Sequence, residues 1–162
     1  MREIVTVKSN ELFPIVREIF DHNGTAKIRV TGMSMLPFLR HERDFVELSA
    51  TGAKELHKGD IVLVVRDSSE YVLHRVIKIS SAGIYINGDS QCWTEGPIRP
   101  GQLAAKVISI WRDNRQIKCD NLFWRLLSHV WLLLFPVRPI LLRFYYHFTA
   151  SGRKTINGDK VN

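Results

Sequence analysis

Between Ala26 and Cys119 apolar and polar residues alternate in short runs broken by turn residues, a pattern that predicts strands. Ala26-Lys27-Ile28-Arg29-Val30-Thr31 reads as the first strand and Phe45 to Leu48 as a weaker second. Ile61-Val62-Leu63-Val64-Val65 is strongly apolar and follows the turn Lys58-Gly59-Asp60. Tyr71 to Ile79 comes next. After Ser80-Ser81-Ala82-Gly83 stand Ile84-Tyr85-Ile86 and the turn Asn87-Gly88-Asp89-Ser90. Ala104 to Trp111 and Gln116 to Cys119 form a last pair across a hairpin turn at Asp113-Asn114. Strands without intervening helices predict a mainly β (α+β) body of antiparallel type.

Helical spacing occurs only at the two ends. Ser9 or Asn10 can cap a helix through Phe20, with Leu12, Ile15, Val16, Ile19 and Phe20 on one face. Asn23 or Gly24 can end it. From about Asp120 the composition changes: Leu122 to Phe148 is dense in Leu, Phe, Trp and Tyr, interrupted by Arg125, Arg138 and Arg143 and broken at Pro136 and Pro139. The stretch between Arg125 and Arg138 covers ~18 Å at ~1.5 Å per residue, short of a bilayer core of ~30 Å. An interfacial segment is expected instead, its leucines and aromatics in the headgroup boundary and its arginines snorkelling toward phosphate. Docking on the protein's own sheet is the competing reading. The chain thus divides into an N-terminal helical region (1–25), a β domain (26–119), a hydrophobic and basic C-terminal segment (120–150) and a flexible tail (151–162).

A chain of 162 residues suits one core without metal or disulfides. The formal net charge of +7 favours an anionic partner, a membrane surface or nucleic acid. No nucleic-acid-binding module accompanies that charge, so no nucleic-acid partner is expected. Cys92 and Cys119 have neither CxxC nor Cys/His spacing, which argues against zinc; they can pair only in an oxidising compartment. The first residues lack the uninterrupted apolar core of a secretory signal or membrane anchor.

The chemistry centres on Thr31-Gly32-Met33-Ser34-Met35-Leu36-Pro37-Phe38-Leu39. Gly32 permits a sharp bend after the first strand, and Pro37 restrains the chain beyond Ser34. The hydroxyl is therefore presented on a loop, as a nucleophile or as a backbone cap. A serine nucleophile needs a base within hydrogen-bond reach. His22, His41, His57, His129 and His147 lie in polar or C-terminal stretches; His74 alone interrupts a strand, where an imidazole must face solvent or find a partner. Met35, Leu36 and Phe38 are candidates to line a groove or to pack in the core.

Taken together these residues resemble a known family. Gly32-Met33-Ser34-Met35-Leu36-Pro37 resembles the Gly-x-Ser-Met-x-Pro box of type I signal peptidases and the related self-cleaving repressor peptidases. Gly59-Asp60-Ile61-Val62 is similar to their Gly-Asp strand box, Leu73-His74-Arg75-Val76 to the base-bearing strand, and Asn87-Gly88-Asp89-Ser90 to the Gly-Asp-Asn box. The resemblance runs from Lys27 to Trp111 with the boxes in order. Most bacterial members carry lysine as base; histidine resembles the type found in the endoplasmic reticulum, in archaea and in some spore-forming bacteria. The family usually has an N-terminal membrane anchor, which these first residues do not match.

The resemblance implies coiled antiparallel sheets and a serine endopeptidase that needs no metal or cofactor. Ser34 would be the nucleophile, His74 the base, and Asp89 the orienting carboxylate, with Glu95 the second choice and Lys78 a minor alternative base. Gly32, Met33, Met35 and Pro37 would shape the loop; Gly32 replaces a side-chain donor used by some members, leaving the Ser34 amide to meet the oxyanion. The substrate would be an extended peptide or precursor cut after small residues, at a membrane contacted through Leu122 to Phe148. A non-catalytic membrane- or partner-binding module and a cytosolic repressor-type self-peptidase are the alternatives.

Overall fold

The structure, a computed structural model, describes residues 18–22 and 24–154. Most of the helix expected from Ser9 lies outside them. Residues 18–21 are helical, and the Gly24 amide closes that end on the Ile19 carbonyl at 2.9 Å. A Cβ at Gly24 would stand 2.7 Å from Ile19 Cγ2, so the exit needs a bare glycine.

Among the described residues eight strands make one antiparallel sheet: β1 (Thr25–Arg29), β2 (Phe45–Ser49), β3 (Ile61–Val65), β4 (Tyr71–Ser80), β5 (Gly83–Asn87), β6 (Glu95–Ile98), β7 (Leu103–Arg112) and β8 (Arg115–Lys118). Their spatial order is β1-β2-β7-β3-β4-β5-β6, with β8 also paired to β7. β7 is the joint, pairing with β2 along one edge and with β3 and then β8 along the other. The register shifts in four of the ladders, at Glu47/Leu48, Leu63/Val64, Val76/Lys78 and Ile84/Ile86, the kind of irregularity that increases local twist. Asp113 and Asn114 both take positive φ (48° and 62°), the geometry of a tight hairpin turn.

Both faces of the sheet are covered. Ile61 and Leu63 join a cluster with Val46, Val107, Phe38, Leu39, Trp124 and Trp131, while Val62 and Val64 join Leu56, Val76, Ile86 and Ile98 on the other side. This explains why β3 is apolar throughout, since neither of its faces meets water.

β6 was not apparent from the alternation pattern. Glu95-Gly96-Pro97-Ile98 has poor strand propensity, yet an edge strand tolerates proline, and Gly96 at φ 141° accommodates a close approach. A Cβ there would stand 2.8 Å from the Ile84 carbonyl oxygen.

The C-terminal segment folds as α1 (Leu122–Leu133), a 3-10 turn (Phe135–Val137) and α2 (Arg138–Lys154). The Asn121 side chain caps α1 by accepting from the Phe123 amide at 2.9 Å. Trp124, Ser128 and Trp131 face the sheet at helical spacing, and Leu142 does so from α2. The outer face is apolar, with Leu122 82%, Phe123 73%, Leu133 78% and Phe148 72% exposed. Among the described residues no single helix is long and apolar enough to cross a membrane; Leu122–Leu133 and Phe135–Phe148 qualify only as a pair bent by 62°. One expectation is corrected: Arg138 does not snorkel outward but is fully buried against the sheet.

The turns before β3 and after β5, the Ser34 loop and α1 meet at Arg75, which is buried in β4. Its guanidinium donates to both Asp89 oxygens (2.8 and 2.7 Å), to the Gly59 carbonyl and to Ser128 Oγ (2.9 Å each), and its Cζ lies 4.7 Å from the centre of the Phe38 ring. Removing one member of such a pair strands a charge in the interior. Asp89→Asn should therefore lower unfolding free energy by about 3 to 5 kcal/mol, read from urea denaturation. A loss within a few tenths would mean that the pair does not organise the fold.

Candidate functional site

Gly32, at φ 83°, turns the chain out of β1 and lets it enter the Ser34 loop. The Gly32 amide is held by His41 Nδ1 at 3.1 Å, and Leu36-Pro37 is a cis peptide. Beyond Ser34 the loop is pinned by Asp44, which is buried and accepts from the Arg40 amide (2.9 Å) and from Arg43 and Arg112; Arg112 also donates to the Phe38 carbonyl at 2.7 Å. Burial pushes the Asp44 carboxyl up, but the bonds from Arg112, Arg43 and the Arg40 amide outweigh it and hold the group below its usual range. Met35, Leu36 and Phe38 are buried, so of the groove and core readings they take the core one; Met33 is exposed and Pro37 half-buried.

Ser34 itself is half-buried. Its carbonyl accepts from the Ser90 amide at 2.8 Å, and the Met33 carbonyl accepts from Ser90 Oγ at 2.9 Å. Gly88 presses on the same carbonyl: a Cβ there would lie 2.8 Å from the Ser34 oxygen. β5 leads into this stretch, and its Asn87 pairs with Arg75 of β4. The turn on which the Ser34 carbonyl rests thus follows directly on the strand paired with the one that carries His74. Among the described residues neither the Ser34 hydroxyl nor its amide makes a hydrogen bond, so no bond yet joins Ser34 Oγ to the imidazole.

His74 is 1% exposed, and its Nδ1 lies 3.2 Å from Glu95 Oε1, outside the alignment of a formed hydrogen bond. Glu95 is fixed from behind by Arg66, whose Nε and Nη2 reach Oε2 and Oε1 at 2.8 and 2.5 Å. Burial is the main influence on His74 and lowers its pKa; Glu95 pulls it up and Arg66 pushes it down, leaving the ring favoured as neutral imidazole. Burial also raises the Glu95 pKa, but the bonds from Arg66 and its charge prevail, so Glu95 is held as a carboxylate.

These positions reverse the order of the two carboxylates. Asp89, the first choice to orient His74, has both oxygens on Arg75. The carboxylate in contact with the imidazole is Glu95, delivered by β6 through the Ile86–Glu95 pair. Lys78 is exposed, 5.3 Å from the Tyr85 ring centre, and lies past the bulge that separates it from the His74 stretch. Arg66 has no signal in the sequence; Asn87 and Ser90 are marked there only as the two ends of the Asn-Gly-Asp-Ser turn, and Arg138 only as an interruption of the C-terminal segment.

A cavity of about 330 Å³ opens elsewhere, between α1 and the start of β3, lined among others by His57, Asp60, Lys106, Cys119 and Ser128. It contains none of Ser34, His74 and Glu95. Both cysteines are free; burial pushes the Cys119 thiol up to about 12, which leaves it unreactive, and Cys92 is exposed.

The titration of His74 follows from this geometry. By nitrogen-15 NMR its midpoint should fall below the ordinary ~6.5, and Glu95→Gln should lower it further by removing the charge that favours imidazolium. Because the unfolded chain takes up a proton at ~6.5 while the folded ring does not, acidification below that value should also cost stability. A midpoint above the ordinary value would contradict the burial and the role given to Glu95. No protein-family model, no curated protein and no solved structure matches the chain.

Proposed function

We propose that the protein is a serine endopeptidase of signal-peptidase type. The observation that supports this reading is the seat of the Ser34 carbonyl on Ser90, in the turn that follows the strand paired with β4, together with a buried His74 of β4 whose Nδ1 faces Glu95. Substrate binding brings Ser34 Oγ to His74 Nε2. The imidazole takes the hydroxyl proton as Oγ bonds to the scissile carbonyl carbon, and the Ser34 amide, which has no partner among the described residues, meets the oxyanion. Glu95, clamped by Arg66, stabilises the imidazolium. The same proton then goes to the leaving amine as the carbon–nitrogen bond breaks, and water repeats the sequence to release the acyl group.

The substrate is an extended peptide with small residues before the cut. β1 stands at one edge of the sheet and runs directly into the Ser34 loop, so a peptide added along that edge would reach the hydroxyl. The apolar outer face of α1 and α2, with Arg125 and Arg143 exposed beside it, supports seating on a membrane surface. That same face also favours the second reading, a binding module without catalysis.

A library of leader-type peptides with alanine, glycine or serine before a single cut decides between them. Cleavage by the wild type should be lost in Ser34→Ala and in His74→Ala, and Glu95→Gln should lower kcat by roughly 100-fold or more. Asp89→Ala, where it remains folded, should lower kcat less than Glu95→Gln. Full cleavage by folded His74→Ala would sink the proposed base, and a wild type that cuts nothing while binding anionic vesicles would favour the module.

A further inference from the structure

Arg138 opens α2, is 1% exposed, and reaches back across the molecule to the site. Its Nη1 donates to Asn87 Oδ1 at 2.7 Å, while Nε and Nη2 both donate to the Trp131 carbonyl, at 3.2 and 3.1 Å. The ring centres of Trp131 and Phe135 lie 5.0 Å from its Cζ. Neither hydrogen-bond partner is a carboxylate. An apolar side chain of similar length would fill this space without the cost of removing a full charge from water. What it would not do is hold Asn87.

Asn87 is itself fully buried and is the hinge post of the turn that follows. Its Nδ2 donates to the Gln91 carbonyl at 3.2 Å and to the Trp93 carbonyl, closing the stretch from Asn87 to Trp93 on itself. With Nδ2 committed to that turn, Oδ1 is the one side-chain atom left to anchor it, and Arg138 takes it. The turn carries the contacts that seat the nucleophile: the Ser90 amide on the Ser34 carbonyl and Ser90 Oγ on the Met33 carbonyl. Two residues beyond Trp93 comes Glu95, beside His74. One turn therefore braces both halves of the candidate site, and its buried anchor comes from the C-terminal helices.

We propose that Arg138 is a positioning residue for the Ser34–His74 site, fixing through Asn87 the turn that seats Ser34 and leads to Glu95. Its kinetic consequence rests on the peptidase reading; its structural consequence does not. Arg138→Met keeps the volume and removes the fork, so the helices can stay docked while Asn87 Oδ1 is released.

The test uses the full chain at a temperature where circular dichroism and denaturation show the variant folded. For the best-cleaved peptide of the library, kcat should fall roughly 10- to 100-fold with KM little changed, as expected when a nucleophile is misplaced by about an ångström. The NMR midpoint of His74 should move up toward ~6.5 as its cover and the Asn87–Trp93 turn loosen. Arg138→Lys should recover part of kcat, since an ammonium can reach Asn87 but cannot also bind the Trp131 carbonyl in a fork. If Arg138→Met fails to fold, Arg138→Gln, neutral but polar at its tip, carries the same expectations. A folded variant with wild-type kcat and an unmoved His74 midpoint overturns the proposal. A wild type that cleaves no peptide overturns the peptidase reading instead, and the His74 midpoint then decides for or against Arg138.

Discussion

The charge on Arg75 sits where both faces of a sheet are sealed from water, and groups from four separate parts of the chain have to come to it. Asp89 arrives from the turn after β5, the Gly59 carbonyl from the turn before β3, Ser128 from α1, and the Phe38 ring from the loop that carries Ser34. A guanidinium has fixed donor directions and cannot shed its proton, so its partners are located as much as bonded. That constraint ties the Ser34 loop, the Asn87–Trp93 turn and the first C-terminal helix into one frame. It also explains why Asp89 is unavailable to the neighbouring imidazole: adjacent residues of β4 point to opposite faces, and the carboxylate goes with Arg75.

His74 takes the other face, among Val62, Val64 and Val76, and there the balance of effects differs. Burial alone would leave a neutral ring with no orientation. Glu95 provides a negative neighbour for Nδ1, and Arg66 keeps that neighbour charged and in place. The same strand therefore holds a structural ion pair and a candidate base side by side without sharing a carboxylate.

Much of this was legible in the residues. The unbroken apolar run in Ile61–Val65 reports that both faces of that strand are covered, because burial is what sets such a pattern. Ser34 and His74 stood out because a polar group in apolar surroundings demands a reason. The order of Asp89 and Glu95 was not legible, since it depends on β6, a strand whose Gly-Pro centre hides it and whose register alone brings Glu95 to His74. Arg138 was misread for a related reason. An arginine in an aromatic, leucine-rich helix looks alike whether it snorkels outward or turns inward, and only the position of Asn87 tells the two apart. The segment proves two-faced: its inner residues belong to the core and the site, and its outer leucines and phenylalanines remain uncovered among the described residues.

Rapid quenching of the wild-type protein with its best-cleaved peptide, followed by proteolytic mapping and mass spectrometry, tests without reference to any variant whether Ser34 Oγ forms a bond to the substrate. The expected product is an ester on the fragment containing Ser34, heavier by the acyl half of the peptide less one water, with the amine half already released. Cleavage that leaves Ser34 unmodified at every quench time while another side chain carries the acyl group would contradict the role proposed for Ser34.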